Sequence, residues 1–292
     1  MAQTAEVVVD GLVFPEGPVW CADGTVVCTD VALAVLYRIW PGEHRREVIA
    51  RTDGGPNAAA PASDGGFVVT QNGGFDFTAA AGPGWTDQPV VHVPSGIQRV
   101  LPDGTVTTLA AGAFQNPNDL VTAADGTLYF TDPVTPPGGG PLGRVQAMGR
   151  DGTTRIVASG FEHCNGIALD PDGNLVVVEG EGLMRLDPDG TREWIVQRLG
   201  PGGADGFCFD AEGNVYAAGT TDHVVRVLDP RGTQIDELAI PDTPDATPGF
   251  TTNCCFGGPD GRSLYATDGR PGQLVVWEQM PVPGREVHAW PA

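Results

Sequence analysis

The chain has 292 residues, 42 of them glycine and 26 proline, with only 18% charged; turn-forming residues at this density exclude long helices and suit short strands joined by tight turns. A formal net charge of -21, from 37 acidic against 16 basic residues, repels nucleic-acid phosphates and anionic lipid surfaces and favours a cation or a small polar molecule as partner. No run approaches the roughly 20 apolar residues that span a bilayer, and Met1 to Asp10 lacks a basic segment followed by an apolar core, so a cytoplasmic protein, monomeric or homodimeric, is expected.

In chain order one unit recurs: an apolar strand, an acidic-Gly turn and a second apolar strand. The first turns at Asp23-Gly24 and returns as TVVCTD, the second turns at Asp64-Gly65 and returns as GFVVTQ. Then come Asp125-Gly126 with TLYFTD, Asp172-Gly173 with NLVVVE, Glu212-Gly213 with NVYAAG, and Asp260-Gly261 with RSLYATD. Between them runs a weaker series of outer hairpins, at Asp103-Gly104, Asp151-Gly152, Asp189-Gly190 and Arg231-Gly232. Two hairpins per unit make four antiparallel strands. Successive inner-turn glycines are 41, 61, 47, 40 and 48 residues apart, near the roughly 40 to 50 per blade of a propeller. The expected fold is all-β: one six-bladed β-propeller over residues 1–292 with a central channel. The long interval carries an insertion at about 71–97, read as a loop over one mouth of the channel and dispensable for folding. Six cysteines in a chain of this length do not make a disulfide scaffold and read as free thiols.

The residue eight positions before each inner-turn glycine is Glu16, Asn57, Asn118, Asn165, Asp205 and Asn253. With 37 acidic residues and 8 asparagines among 292, six such matches arise by chance on the order of once in ten thousand even after a choice of offset. Equivalent positions on six blades lie at one height, so these side chains are expected to form a ring facing the channel. Two carboxylates buried there, Glu16 and Asp205, call for a positive charge between them. Amide oxygens without His or thiolate favour a hard divalent cation, with calcium, magnesium and manganese ahead of zinc. A weaker second ring closes the same hairpins: Asp30, Gln71, Asp132, Glu179 and, one residue out of phase, Asp268. It suits turn capping or substrate binding equally, and Asp132 is kept as a substrate-binding candidate.

The segments FPEGPVW from Phe14, NPNDL from Asn116, TLYFTDP from Thr127, NGIALDPDGNL from Asn165, DGFCFDAEGNVYAA from Asp205 and TTNCCFGG from Thr251 resemble the senescence marker protein, gluconolactonase and regucalcin-like family. The resemblance implies a metal-dependent propeller in which Glu16, Asn165 and Asp205 are metal ligands and Asn118 a further ligand or substrate contact. Asn57 and Asn253 are not implied as ligands and read as channel-lining substrate contacts or donors to the ligands. Where some lactonases of the family carry a sugar-binding arginine, this chain has Phe114, Gln115, Asn116 and Pro117.

The activity expected is hydrolysis of a small sugar-type lactone, with Asp205 and Asn118 as catalytic residues and Asp205 taking the proton from water. His163 shares a strand face with Asn165 by period two and is a second base and substrate-contact candidate, whereas His223 reads as a surface residue. The chain has no Gly-x-Ser-x-Gly elbow and no phosphate-binding loop. Isomerisation, cyclisation or lyase chemistry at the same metal, and calcium binding without turnover, are the alternatives.

Overall fold

The computed structural model of the protein describes residues 4–77, 86, 89–112, 114–133, 142–241 and 249–292. It is a six-bladed β-propeller of four-stranded antiparallel sheets. The N-terminal strand β1 (Glu6–Val9) is followed by blade 1, with β2 (Pro15–Trp20), β3 (Val26–Asp30), β4 (Val35–Trp40) and β5 (Arg45–Arg51). Blade 2 holds β6 (Pro56–Pro61), β7 (Phe67–Gln71), β8 (Gly96–Val100) and β9 (Val106–Ala111). Blade 3 holds β10 (Leu120–Thr122), β11 (Leu128–Asp132), β12 (Gly143–Met148) and β13 (Thr154–Phe161), and blade 4 holds β14 (Cys164–Leu169), β15 (Leu175–Glu179), β16 (Gly182–Leu186) and β17 (Arg192–Val196). Blade 5 holds β18 (Ala204–Phe209), β19 (Val215–Gly219), β20 (Val224–Leu228) and β21 (Gln234–Ala239). Blade 6 joins β22 (Phe250–Gly257), β23 (Ser263–Arg270) and β24 (Gln273–Trp277) to β1, so its fourth strand comes from the other end of the chain. The turn pattern gives no sign of this closure, because β1 has no hairpin partner beside it in sequence.

The acidic-Gly turns work through two local effects. Asp23, Asp64, Asp125 and Asp260 each accept the backbone N–H two residues on, and the glycine after each takes the left-handed backbone, with φ from 71° to 89°. In blades 4 and 5 the accepting carboxylate is Asp170 or Asp210, placed earlier in the turn.

Each blade packs between two others, so its middle strands have no wet face. Along β3, Val26 and Cys28 pack with Cys255, Tyr265 and Leu274 of blade 6, while Val27 between them packs with Ala59, Phe67 and Val69 of blade 2. Period-two alternation here selects a neighbouring blade rather than core against solvent, which is why these strands read as continuous apolar runs. Each fully buried Val or Leu contributes about 1.5–3 kcal/mol through water exclusion. All six cysteines are free.

The insertion joins β7 to β8, and Pro56 at the start of β6 pairs with Gln71 at the end of β7, so it lies at the mouth where the inner strands begin. Residues 78–85 and 87–88 of it lie outside the described residues. Its ends are knitted into the blade: Gly54 N–H donates to Val91 C=O, Val93 N–H donates to Gly73 C=O, and Phe77 is buried against Phe14 with ring centroids 4.8 Å apart. At the opposite mouth the C-terminal segment crosses four blades. Gly284 N–H donates to Gly261 C=O, Arg285 N–H to Phe209 C=O and Trp290 N–H to Pro61 C=O, and the Arg285 guanidinium donates to the carbonyls of Leu169 and Asp170. Among the described residues no helix is long and apolar enough to cross a membrane.

Candidate functional site

Local backbone features aim the six ring residues. In blades 1, 2, 4 and 5 the pairing of the two inner strands slips by one residue just past the ring member, between Glu16 and Val19, Pro56 and Ala59, Cys164 and Ile167, and Ala204 and Phe207. A bulge at that point bends the strand and redirects its side chain. In blades 1, 4 and 5 the neighbouring inner strand comes so close that the next residue, Gly17, Gly166 or Gly206, has no room for a side chain. A Cβ on Gly17 would sit 2.6 Å from Ala58 Cα, and one on Gly206 would sit 2.0 Å from the Asn253 amide carbon. Threonines lock the spacing from blade to blade: Thr29 Oγ1 donates to Asn57 C=O at 2.6 Å, and Thr70 Oγ1 donates to Asn118 C=O.

The structure brings the ring together at the mouth that carries the insertion. Glu16 is 2% exposed and Asp205 6%, with Asn57 and Asn253 equally buried. The Oδ1 atoms of Asn57, Asn118 and Asn165 are buried and accept no hydrogen bond. Asn253 behaves differently: its Oδ1 accepts from Cys254 N–H at 2.9 Å, and its Nδ2 donates to both oxygens of Asp119 at 2.9 and 3.0 Å and to Glu16 Oε2 at 3.5 Å.

Asp119 is the residue that sequence reasoning missed. It occupies the position after Asn118, where the other blades have Gly17, Ala58, Gly166, Gly206 and Cys254, and it is 5% exposed. Three buried carboxyls therefore share the channel. Burial first, then the charges of Asp205 and Asp119, push the Glu16 carboxyl well above its ordinary range. Burial, then Asp119, does the same to Asp205, opposed by a side-chain hydrogen bond with Asn165; burial raises Asp119 to about 7 against its bond from Asn253. Among the described residues no three His, Cys, Asp or Glu side chains converge closely enough to hold a metal by themselves. A cation would have to draw on amide oxygens as well, and those of Asn118, Asn165 and Asn57 are open. Buried, unpartnered oxygens beside carboxyls that burial first, and for Glu16 and Asp205 the neighbouring acids second, push towards the neutral form fit a hard divalent cation.

The second ring is structural. Asp30 accepts the N–H groups of Val13 and Phe14, and Glu179 those of Glu162 and His163. Asp132 is fully buried, with Oδ1 accepting from Gln115 and Asn116 N–H and Oδ2 from Gln146 and Arg144. It fixes the approach to Asn118 and presents no oxygen to a substrate, which corrects its reading as a substrate contact. His163 is exposed at the mouth. His223, read as a surface residue, is instead 5% exposed, with Nε2 2.7 Å from Arg270 C=O and 3.3 Å from Asp268 Oδ1; it bridges blade 5 to blade 6 beneath Gly249.

Residues 14–270 match the sequence model of the SMP-30/Gluconolactonase/LRE-like region. The chain belongs to the SMP-30/gluconolactonase/LRE-like family. The matched span begins two residues before Glu16 and ends beyond Asn253, so it contains the whole ring, while the closing strand β1 and the C-terminal crossing lie outside it. A curated relative of this SMP-30/gluconolactonase/LRE-like protein is the gluconolactonase of Zymomonas mobilis, 25% identical over 297 residues that cover 89% of this chain and 77% of that one. Two solved structures share the fold. A calcium-binding regucalcin from Agrobacterium tumefaciens superposes with a TM-score of 0.79 at 20% identity, covering 99% of this chain and 97% of that one. A gluconolactonase from Xanthomonas campestris gives 0.73 at 22% identity, covering 97% and 92%.

Proposed function

We propose that the protein opens small lactones by hydrolysis with the help of one divalent cation, calcium first and magnesium, manganese or zinc as alternatives. The observation that carries this reading is the set of buried Oδ1 atoms of Asn57, Asn118 and Asn165 without a hydrogen-bond donor, beside the buried carboxyls of Glu16 and Asp205. Glu16, Asn118, Asn165 and Asp205 would hold the cation. When bound it supplies a Lewis acid that polarises the ester carbonyl and stabilises the oxyanion.

The chain's own groups supply the rest. Asp205, oriented by its bond with Asn165, accepts a proton from the attacking water, and the same proton is returned to the ring oxygen as the acyl–oxygen bond breaks, so that water is added across the ester. Asn118, on the segment leading into blade 3, orients the lactone towards Asp205. The channel wall keeps bulk water away from both, which strengthens their polar interactions. The gluconolactonase relatives make a sugar-type lactone the reference substrate. The likeness to regucalcin supports a second reading, a calcium-holding propeller without turnover. The two part in one experiment: metal analysis of purified protein, then turnover of γ- and δ-lactones before and after chelation. About one equivalent of divalent metal with reversible loss of turnover supports hydrolysis; full turnover after exhaustive metal removal overturns it, and bound metal without any turnover supports the second reading.

A further inference from the structure

The channel does not end at the ring. Beyond Asp119 and Asn253 it continues as a cavity of about 130 Å³, lined by the inner strands of all six blades and reaching Arg285 and His288 of the C-terminal crossing. That volume holds several molecules the size of water. Three of the six cysteines border it: Cys208 on β18, and Cys254 and Cys255 on β22. The last two face opposite seams, as neighbours in a strand must. Cys255 packs with Cys28 and Tyr265 towards blade 1, while Cys254 packs with Tyr216 and Cys208 towards blade 5.

Cys208 Sγ and Cys254 Sγ are 3.6 Å apart across the seam between blades 5 and 6. Cys254 Sγ also donates to Tyr216 C=O at 3.1 Å, which holds it beside Cys208 and leaves the Cys208 thiol as the donor between the two sulfurs. Cys208 is partly exposed and Cys254 only 3%, so a small oxidant in the cavity meets Cys208 first and finds Cys254 directly behind it. In the other blades the residue three positions past the ring member is Val19, Ala60, Val121, Ala168 or Phe256; the facing thiols are particular to this seam. A disulfide needs the sulfurs about 1.6 Å closer than their present 3.6 Å, an approach within reach of side-chain rotation and a small shift of either strand.

We infer that Cys208 and Cys254 form a redox modification site, which hydrogen peroxide entering the channel converts to a disulfide between blades 5 and 6. Peroxide oxidises the Cys208 thiol to the sulfenic acid and leaves one water. Cys254 Sγ then attacks that sulfur, the S–S bond forms, and the hydroxyl departs with the Cys254 proton as a second water, so two thiols are oxidised and one peroxide is reduced. Burial first, then the bond to Cys254, holds the Cys208 thiol well above its ordinary range, which makes the first step slow. The second is fast because the two sulfurs already touch. The bond also pulls on the ring. Cys254 N–H donates to Asn253 Oδ1 at 2.9 Å, and Asp205 lies on the same strand as Cys208, so drawing the sulfurs together displaces both ring residues and lowers cation affinity. This consequence rests on the cation reading of the ring; the disulfide does not.

The test treats folded, reduced protein with hydrogen peroxide, counts alkylatable thiols after denaturation, maps cross-linked peptides by mass spectrometry and titrates calcium by calorimetry. Expected is a loss of two of the six thiols, a cross-linked peptide pair containing Cys208 and Cys254, and calcium binding weaker by about fivefold or more, all reversed by dithiothreitol. Cys208→Ala and Cys254→Ala, checked for folding by circular dichroism, each lose the cross-link and keep their own calcium affinity through the same treatment. All six thiols retained in the folded protein, a cross-link between other cysteines, or sulfinic acid on Cys208 without a cross-link overturns the inference. A Cys208–Cys254 cross-link with unchanged calcium affinity overturns its action on the ring. The cross-link in protein that binds no calcium in either state overturns the cation reading and keeps the modification site.

Discussion

Glu16 and Asp205 are the two ring carboxylates, yet their surroundings give them different work. Glu16 Oε2 already accepts from Gly17 N–H at 2.9 Å and from Asn253, whereas Asp205 is bonded through Asn165. Glu16→Gln keeps an oxygen for a cation but removes charge, so cation affinity should fall by about tenfold or more, with turnover restored by added cation. Asp205→Asn should stay slow at saturating cation, by about 10²–10⁴-fold, because an amide cannot take a proton from water. Calorimetric titration beside lactone turnover separates the two; equal rescue of both variants would reduce Asp205 to a ligand. All six ring positions were legible in the sequence because each stands at one distance from a turn glycine, and recurrence is what pattern reading detects. Asp119 was not legible in that way. Its position is set by packing, which leaves no room for a side chain in blades 1, 4 and 5, and one acid among Gly, Ala and Cys forms no pattern. His223 was misread for a related reason: its partners, Arg270 and Asp268, lie on another blade, and strand position alone does not reveal a contact between blades.

At the scale of the element, the blades were legible from their turns, while the parts that join distant segments were not. β1 pairs with β24, with Val7 opposite Val275, and the C-terminal crossing bonds to blades 2, 4, 5 and 6 through irregular backbone. Neither has a periodicity to find. The crossing and the ring sit at opposite mouths, so they should respond separately. Arg285→Ala removes donors to the carbonyls of Leu169 and Asp170 and should destabilise the fold by about 1–3 kcal/mol without changing cation affinity. Gly206→Ala adds a single methyl group within 2.0 Å of the Asn253 amide carbon. It should cost a comparable amount, about 1–3 kcal/mol by overpacking, and should also weaken cation binding, because Asn253 must turn away from Asp119 and Glu16. Urea unfolding and cation titration on both variants check this; a loss of cation affinity in Arg285→Ala would mean that the two mouths are coupled through the channel.

Over the whole molecule, ring closure concentrates like charge on the axis, and this ties stability to pH in a direction opposite to ordinary acid denaturation. In cation-free protein the carboxyls of Glu16, Asp119 and Asp205 are raised, Asp119 to about 7. The folded chain then binds more protons than the unfolded chain above about pH 4. Their contribution is therefore fully present below about pH 4 and is lost as pH rises through the folded-state values. The lowered carboxyls of the turns, such as Asp64 and Asp125, act below that window and do not offset it. Cation binding ionises the ring groups and displaces protons, so it should be tight at pH 8 and weak at pH 5. At a hundredfold excess over Kd a cation adds about 2.7 kcal/mol, which raises Tm by about 5 °C or more in a domain of this size. The expected result is a cation-free Tm that falls from pH 5 to pH 8, a calcium-induced rise that is large at pH 8 and small at pH 5, and in Asp119→Asn a shallower fall without cation. Melts in calcium and in chelator across that range decide it. A calcium shift of the same size at both pH values would mean that the cation binds away from these three carboxyls, and no shift at either would leave the open amide oxygens of Asn57, Asn118 and Asn165 without the partner assigned to them.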